Sequence, residues 1–417
     1  MIRPGTRALL LAAAAALASS HASAQKAVVR DRWISTWAAS LLAAPPRPPA
    51  DSVDRVLTIV NRTLREVVHV SIGGSRVRIR LSNQYGDRPL SVGSAHVALR
   101  TSGAGIDPAT DRAVTFNGRS SVVIRAGANL VSDPVSLSVP RLADLTISLF
   151  VADSARLSTY HALGLQTNYV SASGDFAGAA SFTADTTIRY WPFLAGVDVV
   201  NPAATGVIVT LGNSITDGVA SAADSNARWP DVLARRLFAS KEPPKGVVNA
   251  GISGNRVLSP GAGPSALERF DRDVLMQPGV THVIVLEGVN DISGGTNAAN
   301  PRNEITADEL IAGHKQLIDR AHERGLVIFG ATLTPIGGMR NISPERLPDN
   351  VRQAYLVLND ALELGSGGVS APPDADREEF DPDDTYEASS EDYANFGDFN
   401  FGGLLGPLRQ LSYWTMK

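Results

Sequence analysis

LGNSITDG, residues 211 to 218, places one serine where an apolar run ends and a helix can begin. A strand-to-helix turn holds a serine hydroxyl outward, and the unpaired N–H groups of the helix's first turn can stabilise a developing oxyanion. The same position suits a serine that only caps the helix, so spacing alone leaves Ser214 with two readings. NAGISGNRVL at 249 to 258 offers Gly254, where backbone N–H can approach a ligand with no side chain in the way. LEGVND at 286 to 291 closes another apolar strand with Asn290, whose amide can donate to the same anion. Turns use glycine and asparagine freely, and each of these two residues also has that plainer explanation.

A nucleophilic serine needs a base within about 2.6 to 3.2 Å. Seven histidines stand at 21, 69, 96, 161, 282, 314 and 322. His69 and His96 fall in β-rich sequence and read as sheet positions. His282 begins the strand that ends near Asn290, which at about 3.3 Å per residue puts it on the far side of the sheet from Ser214. His314 and His322 lie on a helix expected to return to that far edge. His161 is the weak candidate that remains, because a loop from the first half of the chain can cross the cleft. The general base is otherwise unknown.

The elements that must carry these residues differ between the two halves. VVHVSI at 67–72, SRVRIRLSN at 75–83, SSVVIRAG at 120–127 and DLTISLFV at 144–151 are short β-branched segments separated by turn formers. In Val77-Arg78-Ile79-Arg80-Leu81 the period is two, as a strand with one apolar and one charged face requires. Residues 30 to 190 therefore predict an all-β, sandwich-like or jelly-roll-like accessory domain. From about 205 the strands become wholly apolar (GVIVTLG, HVIVLEG, LVIFGATLTP) and alternate with helical patterns at 229–238 and 306–325. Strands buried on both faces lose the period of two, and helices are what cover them. Residues 205 to 361 predict a three-layer α/β/α domain on a parallel sheet.

GNSITDG, NAGISGN and GVND, in that order, resemble the first three blocks of the SGNH (GDSL) hydrolase family. WISTWAAS at 33–40 and HALGLQTNYV at 161–170 are similar to the amino-terminal domain of a two-domain bacterial branch. The resemblance implies a carboxylic ester hydrolase, a serine esterase acting on a small ester or an acylated carbohydrate, with carbohydrate deacetylation and lipase-like hydrolysis as its alternatives, without metal or cofactor. It makes Ser214 the nucleophile, and it builds the oxyanion hole from the Ser214 N–H, the Gly254 N–H and the Asn290 side chain. Two departures stand out. Asn213 occupies a position where the family has aspartate, and no histidine follows His322, whereas the family carries an Asp-x-x-His pair near its carboxyl end. Loss of that base implies impaired catalysis or, as the alternative, an inactive binding or structural protein.

The 417 residues include no cysteine and sum to a formal charge of -4, which leaves thiol chemistry out and gives no basic footprint for nucleic acid. Arg3 and Arg7 precede LLLAAAAALA, and ASA follows at 22–24. That order predicts a signal peptide over residues 1–24, cleaved before Gln25, and export to the periplasm or beyond without stable membrane insertion. Residues 362 to 417 hold ten acidic residues between Asp374 and Asp392 and no apolar period, an atypical tail with little to bury. LLGPLRQLSYW at its end is expected to dock back as a short element.

Overall fold

The computed structural model describes residues 31–45, 58–240, 242–294, 305–331, 333 and 414–415. The segment expected to be a signal peptide, 1–24, and nearly all of the acidic tail lie outside the described residues. Residues from Trp33 onward form one compact unit.

The first half is a multi-sheet β domain. A five-stranded antiparallel sheet joins Trp33–Ala38, Leu194–Val200, Gly74–Ser82 and Val135–Val139 in that order, with Asn129–Val131 on the Gly74–Ser82 strand. A seven-stranded sheet centres on Arg62–His69 and Asp144–Val151, paired from His69↔Asp144 to Arg62↔Val151 without interruption. The alternation expected in Gly74–Ser82 is present: Val77, Ile79 and Leu81 are buried. The charged face is covered as well, because Asp198 on the neighbouring strand pairs with Arg78 and Arg80, and the Arg78 guanidinium lies 4.4 Å from the centre of the Trp33 ring. The last strand of this domain runs to Val200, ten residues past the boundary expected at 190, because LAGVDVV pairs with both Trp33–Ala38 and Gly74–Ser82.

The second half is the expected parallel sheet. Its order is Lys245–Gly251, Gly206–Gly212, Val280–Leu286, Val327–Gly330, with Trp414–Thr415 antiparallel at the edge. The chain's end thus docks back on the sheet. Helices cover both faces, and side-chain alternation sorts the strands between them. Ile208, Val247 and Ile284 pack with Leu233 and Leu237 of the Trp229–Ala239 helix. Val207, Val209, Val283 and Val285 join the main core with Phe270, Leu310, Leu317 and Ala321, the last three on the Ala307–Glu323 helix. Full burial of each such side chain stabilises by roughly 1.5–3 kcal/mol. The main core also contains Ile34, Val70 and Ile72 of the β domain, so one apolar interior runs through both halves.

Strand order reverses around Gly206–Gly212, the first parallel strand and a central one. Clefts of open α/β sheets form at the carboxyl ends of strands at such a reversal.

Candidate active site

Ser214 opens a four-residue helix, Ser214–Asp217, directly after the Gly206–Gly212 strand. Asn213 caps it, its Oδ1 accepting the Ile215 N–H at 3.0 Å, so Asn213 does the capping and Ser214 is left at the first helical position. There its N–H has no intrahelical acceptor. The turn rests on the next strand, where a Cβ at Gly251 would lie 2.3 Å from the Asp217 nitrogen, and Asn249 Nδ2 donates to the Thr216 carbonyl at 2.7 Å. Only glycine at 251 lets the turn sit that close.

Gly254 follows the Lys245–Gly251 strand with φ +79°, a left-handed conformation that favours glycine. Asn290 lies in the helical turn Val289–Gly294 after the Val280–Leu286 strand, and its Nδ2 donates to the Asn255 carbonyl at 2.9 Å. That bond leaves one amide hydrogen free and ties Asn290 to the Gly254 loop. Asp291 steadies the same loop by accepting the Val257 and Leu258 N–H groups at 2.8 and 3.0 Å. Burial raises the Asp291 carboxyl to about 6, and these two hydrogen bonds oppose the rise. Ser214, Gly254 and Asn290 thus sit at the carboxyl ends of three adjacent strands.

His161, on the short strand Thr159–His161 of the β domain, reaches the far end of the Ser214–Asp217 turn, and its ring is held at both nitrogens. Nδ1 lies 2.8 Å from the Ser40 carbonyl, and Nε2 lies 2.9 Å from Asp217 Oδ1. A carbonyl and a carboxylate are both acceptors, so this geometry calls for hydrogens on both nitrogens. Burial works against the charged ring, yet Asp217 and the Ser40 carbonyl prevail and raise its pKa above the ordinary histidine value. Asp217 Oδ2 in turn accepts the N–H and hydroxyl of Ser253, at 2.8 and 2.7 Å. A protonated, doubly bonded imidazole has no lone pair for Ser214. Among the described residues none hydrogen-bonds the Ser214 hydroxyl.

Four further histidines among the described residues are engaged elsewhere. His69 contacts Asp144 and His96 contacts Asp111, both within the seven-stranded sheet or its rim. His282 lies near the start of its strand, stacked on Phe329. His314 departs from expectation: its Nδ1 meets the Leu310 carbonyl at 2.9 Å, and its ring also bonds the Glu287 carbonyl just past the end of the Val280–Leu286 strand. The helix starts on the site side, and His314 is only eight positions into it, short of the far edge. Burial lowers its pKa, outweighing the two carbonyls.

Three buried side chains without a role in the sequence reading complete the surroundings. Arg269 reaches the Gly212 and Ala250 carbonyls at two strand ends, at 3.0 and 2.6 Å, and also Asn255 Oδ1, Ser40 Oγ and Asp273 Oδ2. Glu287 stands 3.9 Å from Arg269, and Asp217 anchors the turn to His161. A buried guanidinium with five acceptors locks the backbone from which the site residues project.

The β domain also grips the chain beyond the serine turn. Asp224 accepts from Thr167 N, Thr167 Oγ1 and Gln166 Nε2 at 2.6, 2.6 and 2.9 Å. Ala220, Asp224 and Asn226 have positive φ, a strained conformation that contacts of this kind maintain.

Residues 210–388 match the family model described as GDSL-like Lipase/Acylhydrolase family. No curated protein matches the chain. Among solved structures, an acetyl xylan esterase from Geobacillus stearothermophilus is 22% identical over 39% of this chain and 74% of its own, with a TM-score of 0.30. An alpha/beta hydrolase enzyme from the metagenome of Lake Arreo, Spain, gives the same figures. An SGNH-hydrolase family esterase is 21% identical over 38% of this chain and 73% of its own, with a TM-score of 0.28. Over residues 210–388 the chain is thus similar to the GDSL/SGNH-like hydrolases.

Proposed function

We propose that the protein hydrolyses carboxylic esters through an acyl-serine at Ser214. What supports this reading is that Ser214, Gly254 and Asn290, which carry three candidate donors, follow the carboxyl ends of three neighbouring parallel strands. In the reaction Ser214 Oγ bonds to the ester carbonyl carbon as its proton leaves, and the carbonyl oxygen takes the negative charge. The three donors receive that charge. Collapse breaks the bond to the alcohol, and water then releases the acid from the serine.

Proton removal is the weak step. His161 is committed to Asp217 and Ser40, so in this reading it positions the nucleophile turn and is not the base. Deprotonation then depends on hydroxide or water, and the rate rises into alkaline pH. Removal of the base from a model serine protease still leaves 10³ to 10⁴ over water through the oxyanion hole and binding. The substrate class is a small ester or an acylated carbohydrate, on family resemblance. Export through residues 1–24 belongs to the same proposal, and mass spectrometry of protein from the periplasm or medium tests it: an amino terminus at Gln25 supports it and an intact Met1 defeats it.

The same commitment of His161 favours a second reading, an inactive binding protein that kept the cleft. A fluorophosphonate probe and p-nitrophenyl acetate, applied to the protein and to S214A, separate the two. Labelling and turnover that S214A abolishes support the esterase. Rates equal in both proteins support the binding module.

A further inference from the structure

Asn213 and Glu287 are both sealed from solvent, at 0% and 2% exposure, and both are short of partners. Among the described residues, Asn213 Nδ2 and both Glu287 carboxylate oxygens lack a hydrogen bond of ordinary length. The two residues follow Gly212 and Leu286, which are register partners on adjacent parallel strands. They therefore leave the sheet side by side, and the Asn213 amide acts on the Glu287 carboxyl. An unsatisfied buried polar group is destabilising, which makes two neighbouring ones next to the candidate nucleophile a feature that needs a reason.

We propose that Glu287 positions the nucleophile turn by facing the Asn213 side chain, and that it is the reason an amide and not a carboxylate stands at 213. Calling this a positioning role rests on the reading of Ser214 as nucleophile, whereas the pairing of 213 with 287 does not. Other charged groups around Glu287 are Arg269 at 3.9 Å, with Asp273 on its other side, and Asp291 one turn along the chain; the His314 ring bonds the Glu287 carbonyl. Burial raises the Glu287 carboxyl to about 8, with Asp291 adding to the rise and Arg269 and Asn213 opposing it. Near neutral pH a protonated Glu287 can donate to Asn213 or accept from it. An aspartate at 213 would place a second carboxyl against it in the same dry space.

The test is a four-way cycle of wild type, N213D, E287Q and N213D/E287Q on the full chain, with Tm measured from pH 5 to 9 and the fluorophosphonate labelling rate measured at each pH. N213D is expected to lower Tm by about 5 °C or more at pH 9 and by much less at pH 5. E287Q should restore most of that loss in the double variant. N213D should also slow labelling of Ser214 about tenfold at pH 9, with recovery in the double variant. Losses that are equal with and without Glu287 overturn the proposal, as does an N213D loss independent of pH. If N213D does not fold, folding of the double variant supports the pairing. If neither folds, E287Q alone decides: a Tm–pH curve flatter than wild type between about 4.5 and 8 supports it, and a parallel curve overturns it. Absence of labelling in every variant, together with an intact thermal cycle, would reject the Ser214 reading and leave the pairing standing.

Discussion

The side of the Ser214 turn that faces the β domain and the side that faces the Val280–Leu286 strand solve the same problem differently. Both bury an acid beside the candidate nucleophile. On the first side Asp217, 3% exposed, has His161, Ser253 N and Ser253 Oγ as partners. On the second side the Glu287 carboxyl has no hydrogen bond of ordinary length among the described residues, and burial drives it toward the neutral acid. One carboxyl is met by an imidazole and two serine donors; the other, without such partners, is pushed toward its neutral form by burial. The contrast suggests what the β domain contributes: to the two Ser253 donors of the α/β half it adds a ring, His161, and that ring is then engaged by Asp217.

Breaking the first side should have the largest effect. H161A leaves Asp217 buried without its cation, and loss of one member of a buried pair costs about 3–5 kcal/mol. Denaturant unfolding should show that loss, and H161Q, whose amide can still donate to Asp217, should recover a good part of it. A cost under about 1 kcal/mol for H161A would mean that the pair does not hold the turn.

The pH dependence sharpens the comparison. The folded pKa of His161 is raised above its unfolded value, so its contribution to stability is fully present below the ordinary value of about 6.5 and is lost as pH rises through the folded value. Glu287, also raised, acts in the same direction over a lower window: its contribution is complete below about 4.5 and gone above about 8. The protein should therefore become less stable from mildly acidic to alkaline pH. H161Q should flatten the upper part of that decline. Equal slopes in wild type and H161Q would contradict the assignment of a charged His161.

A smaller effect is expected from D224N, which weakens the grip of Thr167 and Gln166 on an exposed segment with three positive-φ residues. Faster proteolytic nicking between 219 and 228, with little change in Tm, would fit; unchanged nicking would show that the loop holds its shape without the β domain.

Much of this arrangement is legible in the sequence. Apolar runs ending in GNS, NAG and LEG locate three strand ends, because doubly buried strands and their turns have distinct composition. The charged face of Arg78 and Arg80 is legible as a face but not as a buried one, since its partner Asp198 lies 120 positions on. His161 reads as a residue that can approach the Ser214 segment, and it does meet that segment's turn, at Asp217. A sequence places a histidine near a four-residue turn without saying whether it meets the first residue, Ser214, or the last, Asp217. His314 was misplaced because the helix was reckoned by its end and not by its start on the site side. Arg269 and Glu287 carry no local signal: Arg269 sits in a five-residue helix too short for a period, and Glu287 is one acid at the end of an apolar run.

The central claim is that Ser214 is the reacting group and that His161 holds its turn without taking its proton. The direct measurement is kcat/KM for p-nitrophenyl acetate from pH 5 to 9 in wild type, S214A and H161Q. The account predicts that S214A loses the activity, that wild type shows no limb near pH 6.5 and rises into alkaline pH, and that H161Q keeps this profile with at most a uniform reduction. A neutral limb in wild type that disappears in a folded H161Q would contradict it and make His161 the base.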